Sequence, residues 1–321
     1  MGTDVAEKVV KKEELNKNKT VKKSFTIMGL SIWRILAYFI IYSFAGFIIE
    51  TLFGLFTKGV IESRKSFLYG PFCSIYGLGA AVMLIFLHKY SKKYNSLFLG
   101  GFILGSIVEY IISWFGEVFL HIKWWDYSDM PLNINGRICV YFSLFWGFLS
   151  IYLVASLNSK VDRFIDWAKK KFNLKALKTL TIVTIIFLAF DCIVSIAASH
   201  FFMVRAIVKN DINVADKEAV IEEYNKVYSN EKLSNFIYKH WGDKKIIKTW
   251  PNIKLNDVEG NIIHLYTYFP DIQPYYIKVH EPRHIDLEKY RIDLLLLKKE
   301  GLFLQQVPKK VNILDTPIEL K

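Results

Sequence analysis

Five apolar stretches, Ile32–Phe56, Phe67–Leu87, Leu97–Leu120, Ile138–Leu157 and about Leu180–Val204, fill most of residues 32–204. Each reaches the roughly 20 residues that a helix needs to cross about 30 Å of hydrocarbon. Lipid offers the backbone no hydrogen-bond partners, so a helix that satisfies its own is the natural solution. The expected fold is an α-helical membrane bundle of about five transmembrane helices, followed by a small α+β soluble domain. Residues 1–31 read as a basic disordered tail, 32–204 as the polytopic domain and 205–321 as the C-terminal module. The first stretch outruns a signal-peptide core and carries Glu50, which argues against a cleaved leader.

Lysine and arginine set the expected orientation. With the N-terminus cytoplasmic, the inner segments collect the basic tail to Arg34, then Lys89, Lys92 and Lys93, then a dense run from Lys160 to Lys178. The outer connectors hold only Lys58, Arg64, Lys65, Lys123 and Arg137. An odd number of spans then places the C-terminal module outside the cell membrane. The net charge of +12 is accounted for by this topology and by anionic lipid, so membrane lipid is the expected partner and nucleic acid is not. The inner run SKVDRFIDWAKKKFNLK puts Val161, Phe164, Ile165, Ala168 and Phe172 at helical spacing with lysines opposite, a pattern suited to the lipid interface or to a plain amphipathic linker.

In the C-terminal region Asn213 and Asp216 precede a helical pattern running to about Trp241. After Pro251 the runs IIHLYTYF, YYIKV, IDLLLL and LFLQQV read as strands, with NDVEGN as a hairpin turn. His280-Glu281-Pro282-Arg283-His284 fits H-E-x-x-H, but Pro282 prevents the helix that a zinc protease needs. Glu117 and His121 stand four apart, and two ligands do not make a metal site. Cys73, Cys139 and Cys192 show no ligand or disulfide spacing. No Walker sequence is present, so the chain carries no P-loop ATPase, and no cofactor is expected.

Acids inside spans are costly and mark function. Glu109 and Asp191 fall near the middle of their spans, Glu50 and Glu117 toward the outer ends. Ser43, Gly46, Glu50 and Gly54 form one small-and-polar stripe, Gly101, Gly105, Glu109, Ser113 and Gly116 a second, and Thr184, Asp191, Ser195 and Ser199 a third. Small residues let helices approach closely, so the three seams are expected to meet. The connector WWDYSDMPLNINGRIC adds Trp124, Trp125 and Tyr127 as interfacial aromatics, and Asp126, Asn133, Asn135 and Arg137 as polar groups. Together these describe a polar mouth above Glu109 and Asp191, with Glu50, Glu117, Asp126, Tyr127, Asn135 and Arg137 along the path. A folded cap that ties helix ends together is the alternative.

The stretches RKSFLYGPFCSIYGLGA and EYIISWFGEVFLHIKWWDYSDMPLNINGRICVYFSLFWG closely resemble the bacterial family described as putative ABC-transporter type IV (CmpB-like), over roughly residues 35–200. Gly70, Pro71, Tyr76, Gly77, Glu109, Glu117, Trp125, Asp126, Tyr127, Asn135, Gly136 and Arg137 match its pattern. Arg64-Lys65-Ser66 and Ser74 depart from the usual Asn-Arg-Gly and Pro. The resemblance implies a permease-like membrane protein served by a separate ATPase subunit docked on the basic inner connectors. The alternatives are an intramembrane enzyme acting on lipid or a lipid-linked substrate, and a membrane scaffold or sensor.

Overall fold

A computed structural model of the chain describes residues 25–120 and 122–279. A short antiparallel ladder, β1 (Thr26–Ile27) with β2 (Leu30–Ser31), precedes α1 (Ile32–Lys58). Folded structure thus begins inside the segment expected to be a tail. The Ser31 hydroxyl accepts from the Arg34 amide to cap α1, and Gly59, at φ 69°, closes it.

The chain continues through α2 (Ser74–Leu87), a 3₁₀ turn at His88–Tyr90 and α3 (Tyr94–Leu120). Next, α4 (Val140–Tyr152) passes through a π-helical turn, Leu153–Leu157, into the amphipathic α5 (Asn158–Lys171); α6 then spans Leu174–Lys209. Four helical stretches are long and apolar enough to cross a membrane: Ile32–Lys58, Tyr94–Phe119, Val140–Lys171 and Leu174–Lys209. Their outward faces carry bulky apolar side chains such as Phe53, Ile107, Phe148 and Ile186, all more than 45% exposed, as a lipid-facing surface requires.

The stretch expected to span from Phe67 to Leu87 is helical only from Ser74. Its 14 residues rise about 21 Å, short of the hydrocarbon thickness. Pro71 is the cause: it lacks an N–H and steers Gly70 away from the helical region. Non-helical backbone at membrane depth survives where protein supplies its partners, and here the middle of α6 does. Ser195 Oγ accepts from the Leu68 amide at 2.8 Å, and the Asp191 carboxylate accepts from the amides of Tyr69 at 3.1 Å and Gly70 at 2.8 Å.

The three small-residue seams do not meet one another. The α1 seam faces α2, where a Cβ on Gly77 would lie 2.0 Å from Ser43 Oγ and one on Gly46 2.5 Å from Tyr76. The α3 seam faces α4, where a Cβ on Gly105 would lie 2.4 Å from the Trp146 ring. The α6 seam receives the Leu68–Gly70 loop. Each seam thus serves a different neighbour.

Contacts sort the connectors to two ends. At one end, Arg34 pairs with Asp162 at 3.0 Å, Tyr38 donates to Asp162, and Trp33 Nε1 donates to Thr181 at 3.1 Å. At the other end, β3 (Val60–Ile61) pairs with β6 (Ile277–Lys278), and Lys123 bridges Lys254. Leu68, Ile122, Ala198, Phe202 and Ile207 share a core there with Ile246, Ile247, Trp250 and Leu265.

Residues 210–279 supply α7 (Lys217–Tyr228), α8 (Glu231–Trp241), α9 (Asp243–Thr249) and an antiparallel pair, β4 (Lys254–Asn256) with β5 (Ile262–His264). The helical pattern ends at Trp241 as expected, but Asn230 interrupts it by capping α8. NDVEGN does form the hairpin turn: Asp257 Oδ1 accepts from the amides of Glu259 and Asn261. IIHLYTYF leaves the strand after His264, as the fully buried Leu265 opens a 3₁₀ turn through Tyr268. The H-E-x-x-H match, IDLLLL, LFLQQV and His121 lie outside the described residues.

Candidate functional site

The expected site residues divide among three settings. The first is a buried line of acids and phenols. Glu109 on α3 is 4% exposed, and both its oxygens are used. Oε1 accepts from Tyr127 Oη at 2.9 Å and Oε2 from Trp146 Nε1 at 3.0 Å. Tyr127 descends from the connector and stacks on Phe142, ring centroids 4.6 Å apart. Burial, and then the neighbouring Glu109 carboxylate, push the Tyr127 phenol well above its ordinary pKa, so it stays a donor. Across the Trp146 ring, 6.1 Å away, lies Tyr76 of α2, whose hydroxyl donates to Glu50 Oε1 at 2.6 Å. Glu50 lies 3.9 Å from Arg64, which pairs at 2.6 Å with the buried Glu62; Lys58 pairs with Glu62 at 3.0 Å. The line therefore joins the connector to a charged cluster past α1 at the same end of the bundle, dipping between the helices on the way.

The second setting lies at the end of α3. Arg137 holds Glu117 through Nε at 2.9 Å and Nη2 at 2.7 Å, and donates to Tyr110 Oη at 2.9 Å; Asn135 donates to the same hydroxyl at 3.0 Å. Arg137 thus takes Glu117 as its partner, while Asp126 lies 3.5 Å from Lys123. Gly136, at φ 65°, brings the connector back beneath Asp126, where a Cβ would sit 2.3 Å from Oδ1. Trp125 Nε1 donates to the Arg137 carbonyl at 3.0 Å, and Gly136 donates to Asn133 Oδ1 at 3.0 Å. Trp124 fits over Gly116, where a Cβ would lie 2.4 Å from its ring. Tyr127, Asn135 and Arg137 reach out to α3, while the remaining polar groups of the connector serve its own shape.

The third setting is Asp191, fully buried and bound to the Leu68–Gly70 loop. Gly77 lies where α2 meets α1, and Pro71 breaks the helix ahead of α2. Asp191 is engaged by backbone amides and Ser195, whereas Glu109 is engaged by two aromatic side chains. The two acids, each near the middle of its helix, therefore do different work.

Trp146 and Tyr110 were missed as site residues in the sequence. A usable signal existed: a Trp or Tyr within an apolar span must find a partner for its N–H or O–H when buried. Tyr76 stood out as a motif residue, but its link to Glu50 did not. Among the described residues no group of three or more metal-ligating side chains gathers.

Residues 37–196 match the model of the family described as "Putative ABC-transporter type IV". This helical bundle belongs to that family. No curated protein and no solved structure matches the chain. The family match and the four long apolar helices make the chain a multi-pass membrane protein of transport-related type. Glu50, Glu109, Tyr76 and Tyr127 all lie inside the family match, whereas residues 197–279 extend beyond it.

Proposed function

We propose that the chain is a permease-type transport protein in which the carboxyl–phenol pairs Glu109–Tyr127 and Glu50–Tyr76 form a polar site inside the bundle, entered from the outer side. One observation carries this: Glu109 is buried among apolar helices, and its hydrogen-bond donors, Tyr127 and Trp146, are both neutral. A carboxylate left without a compensating charge in such a place is expensive. Taking up a proton or a cation removes that cost, which suits the group to hold and release one.

α2, with its preceding loop, is proposed as a fifth crossing. Residues 59–66, 122–139 and 205–279 then share the outer side, while α5 and the N-terminus face the cytoplasm, in keeping with the basic inner connectors. Asp191 serves by holding the loop that leads into α2, and Arg137 with Glu117 closes the outer end of α3. The chain has no Walker sequence. Were transport driven by ATP, as the family description implies, a separate ATPase subunit would supply it, docking on the cytoplasmic lysines of α5.

The test uses the purified chain in liposomes under an imposed potential, with a trapped pH-sensitive dye reporting proton entry. Wild type is expected to exceed empty liposomes, and Glu109→Gln and Tyr127→Phe each to cut the excess at least tenfold while reconstituting normally. No excess in wild type, or rates in both variants equal to wild type, would refute a transport role for the site.

A further inference from the structure

Where the loop Glu62–Cys73 meets α8 and α9, a cavity of about 530 Å³ opens, well within the size range of small-molecule sites. Five lysines line it: Lys65 from the loop, Lys239 from α8, and Lys244, Lys245 and Lys248 around α9. The single acid in its wall, Asp243, is already held by the fully buried Arg205, through Nε at 2.8 Å and Nη2 at 2.5 Å. No ion pair between any of the five lysines and an acid occurs among the described residues. Lys245 instead lies 4.5 Å over the Tyr69 ring, and Lys248 lies 5.6 Å from Tyr276.

So many like charges around one hollow repel each other, and a bound anion relieves that repulsion. We propose that this cavity binds a phosphate-bearing anion of at least two negative charges, with Lys65 at its floor and Lys239, Lys244, Lys245 and Lys248 around its rim. Lysines reaching in from three elements suit a ligand with charge on several faces, since each ammonium acts as a point charge and needs no planar partner. Burial lowers the Lys65 pKa and Asp191 only partly offsets this, so a bound anion favours its charged form. The site is distinct from the Glu109–Tyr127 line, and its occupancy does not depend on whether that line conducts.

The same chemistry comes from a soluble phosphate compound or from a lipid headgroup, and two arms separate them. In the first, pyrophosphate is titrated calorimetrically into the full chain in phosphatidylcholine nanodiscs. In the second, nanodiscs of phosphatidylglycerol and of phosphatidylcholine are compared by native mass spectrometry for lipid retained on the chain. Lys245→Gln/Lys248→Gln is the main variant. Lys239→Gln/Lys244→Gln, both on exposed positions, is a second that leaves the fold undisturbed. Saturable pyrophosphate binding weakened at least tenfold by either variant assigns a soluble ligand. Phosphatidylglycerol retention lost in either variant, without pyrophosphate binding, assigns a headgroup. Absence of both, or binding unchanged in both variants, overturns the proposal.

Discussion

Replacing Asp191 should loosen the loop that leads into α2. The side chain is fully buried and accepts from the amides of Tyr69 and Gly70 and from the Ser195 hydroxyl at 3.3 Å. In Asp191→Ala the Ser195 oxygen still receives the Leu68 amide, but the amides of Tyr69 and Gly70 lose their side-chain acceptor. A buried donor left unsatisfied costs about 1–3 kcal/mol, so the two together cost about 2–6 kcal/mol. Asp191→Asn keeps one acceptor oxygen for Gly70 and turns an NH₂ toward Tyr69, losing one bond, or about 1–3 kcal/mol. The assay is denaturant unfolding in mild detergent, paired with maleimide labelling of Cys73, in a background with Cys139 and Cys192 replaced by serine. Cys73 is 8% exposed and immediately precedes α2. Stability should fall in the order wild type, Asn, Ala, with Cys73 labelling rising in the same order. An alanine variant as stable as wild type, with Cys73 still protected, would refute the anchoring role.

Gly105→Ala should cost about 1–3 kcal/mol through overpacking, because its Cβ would lie 2.4 Å from the Trp146 ring that donates to Glu109; a thermal melt in detergent and tryptophan emission should shift together. Arg205→Ala should cost about 3–5 kcal/mol, the range for removing one partner of a buried ion pair. Arg205 is 1% exposed and also donates to Tyr228 Oη at 2.8 Å and the Trp241 carbonyl at 3.1 Å; limited proteolysis should show residues 210–279 cleaved first.

Membrane character, the identity of the long helices and the acids within them were all legible in the chain. Hydropathy over 20 residues is a local sum: α1 and α3 come within a few residues of their expected bounds, and α6 contains its expected span with five or six further residues at each end. Gly70-Pro71 also carried a readable break, yet the apolar run around it concealed the shortening of α2. The hairpin at NDVEGN was readable for the same local reason, since Asp257 forms its turn with residues two and four positions on.

Partner choice was not legible. Glu109 and Asp191 look alike in sequence: each is a single acid at mid-span on a stripe of small residues. Tertiary structure gave Glu109 a tyrosine and an indole, and gave Asp191 two backbone amides. What separates them is helix rotation and the path of a returning loop: the partners of Glu109 lie 18 and 37 residues away, those of Asp191 more than a hundred. Periodicity along one helix names the face that is buried. Only the neighbour that fills that face decides whether its acid braces a loop or sits between two aromatic donors.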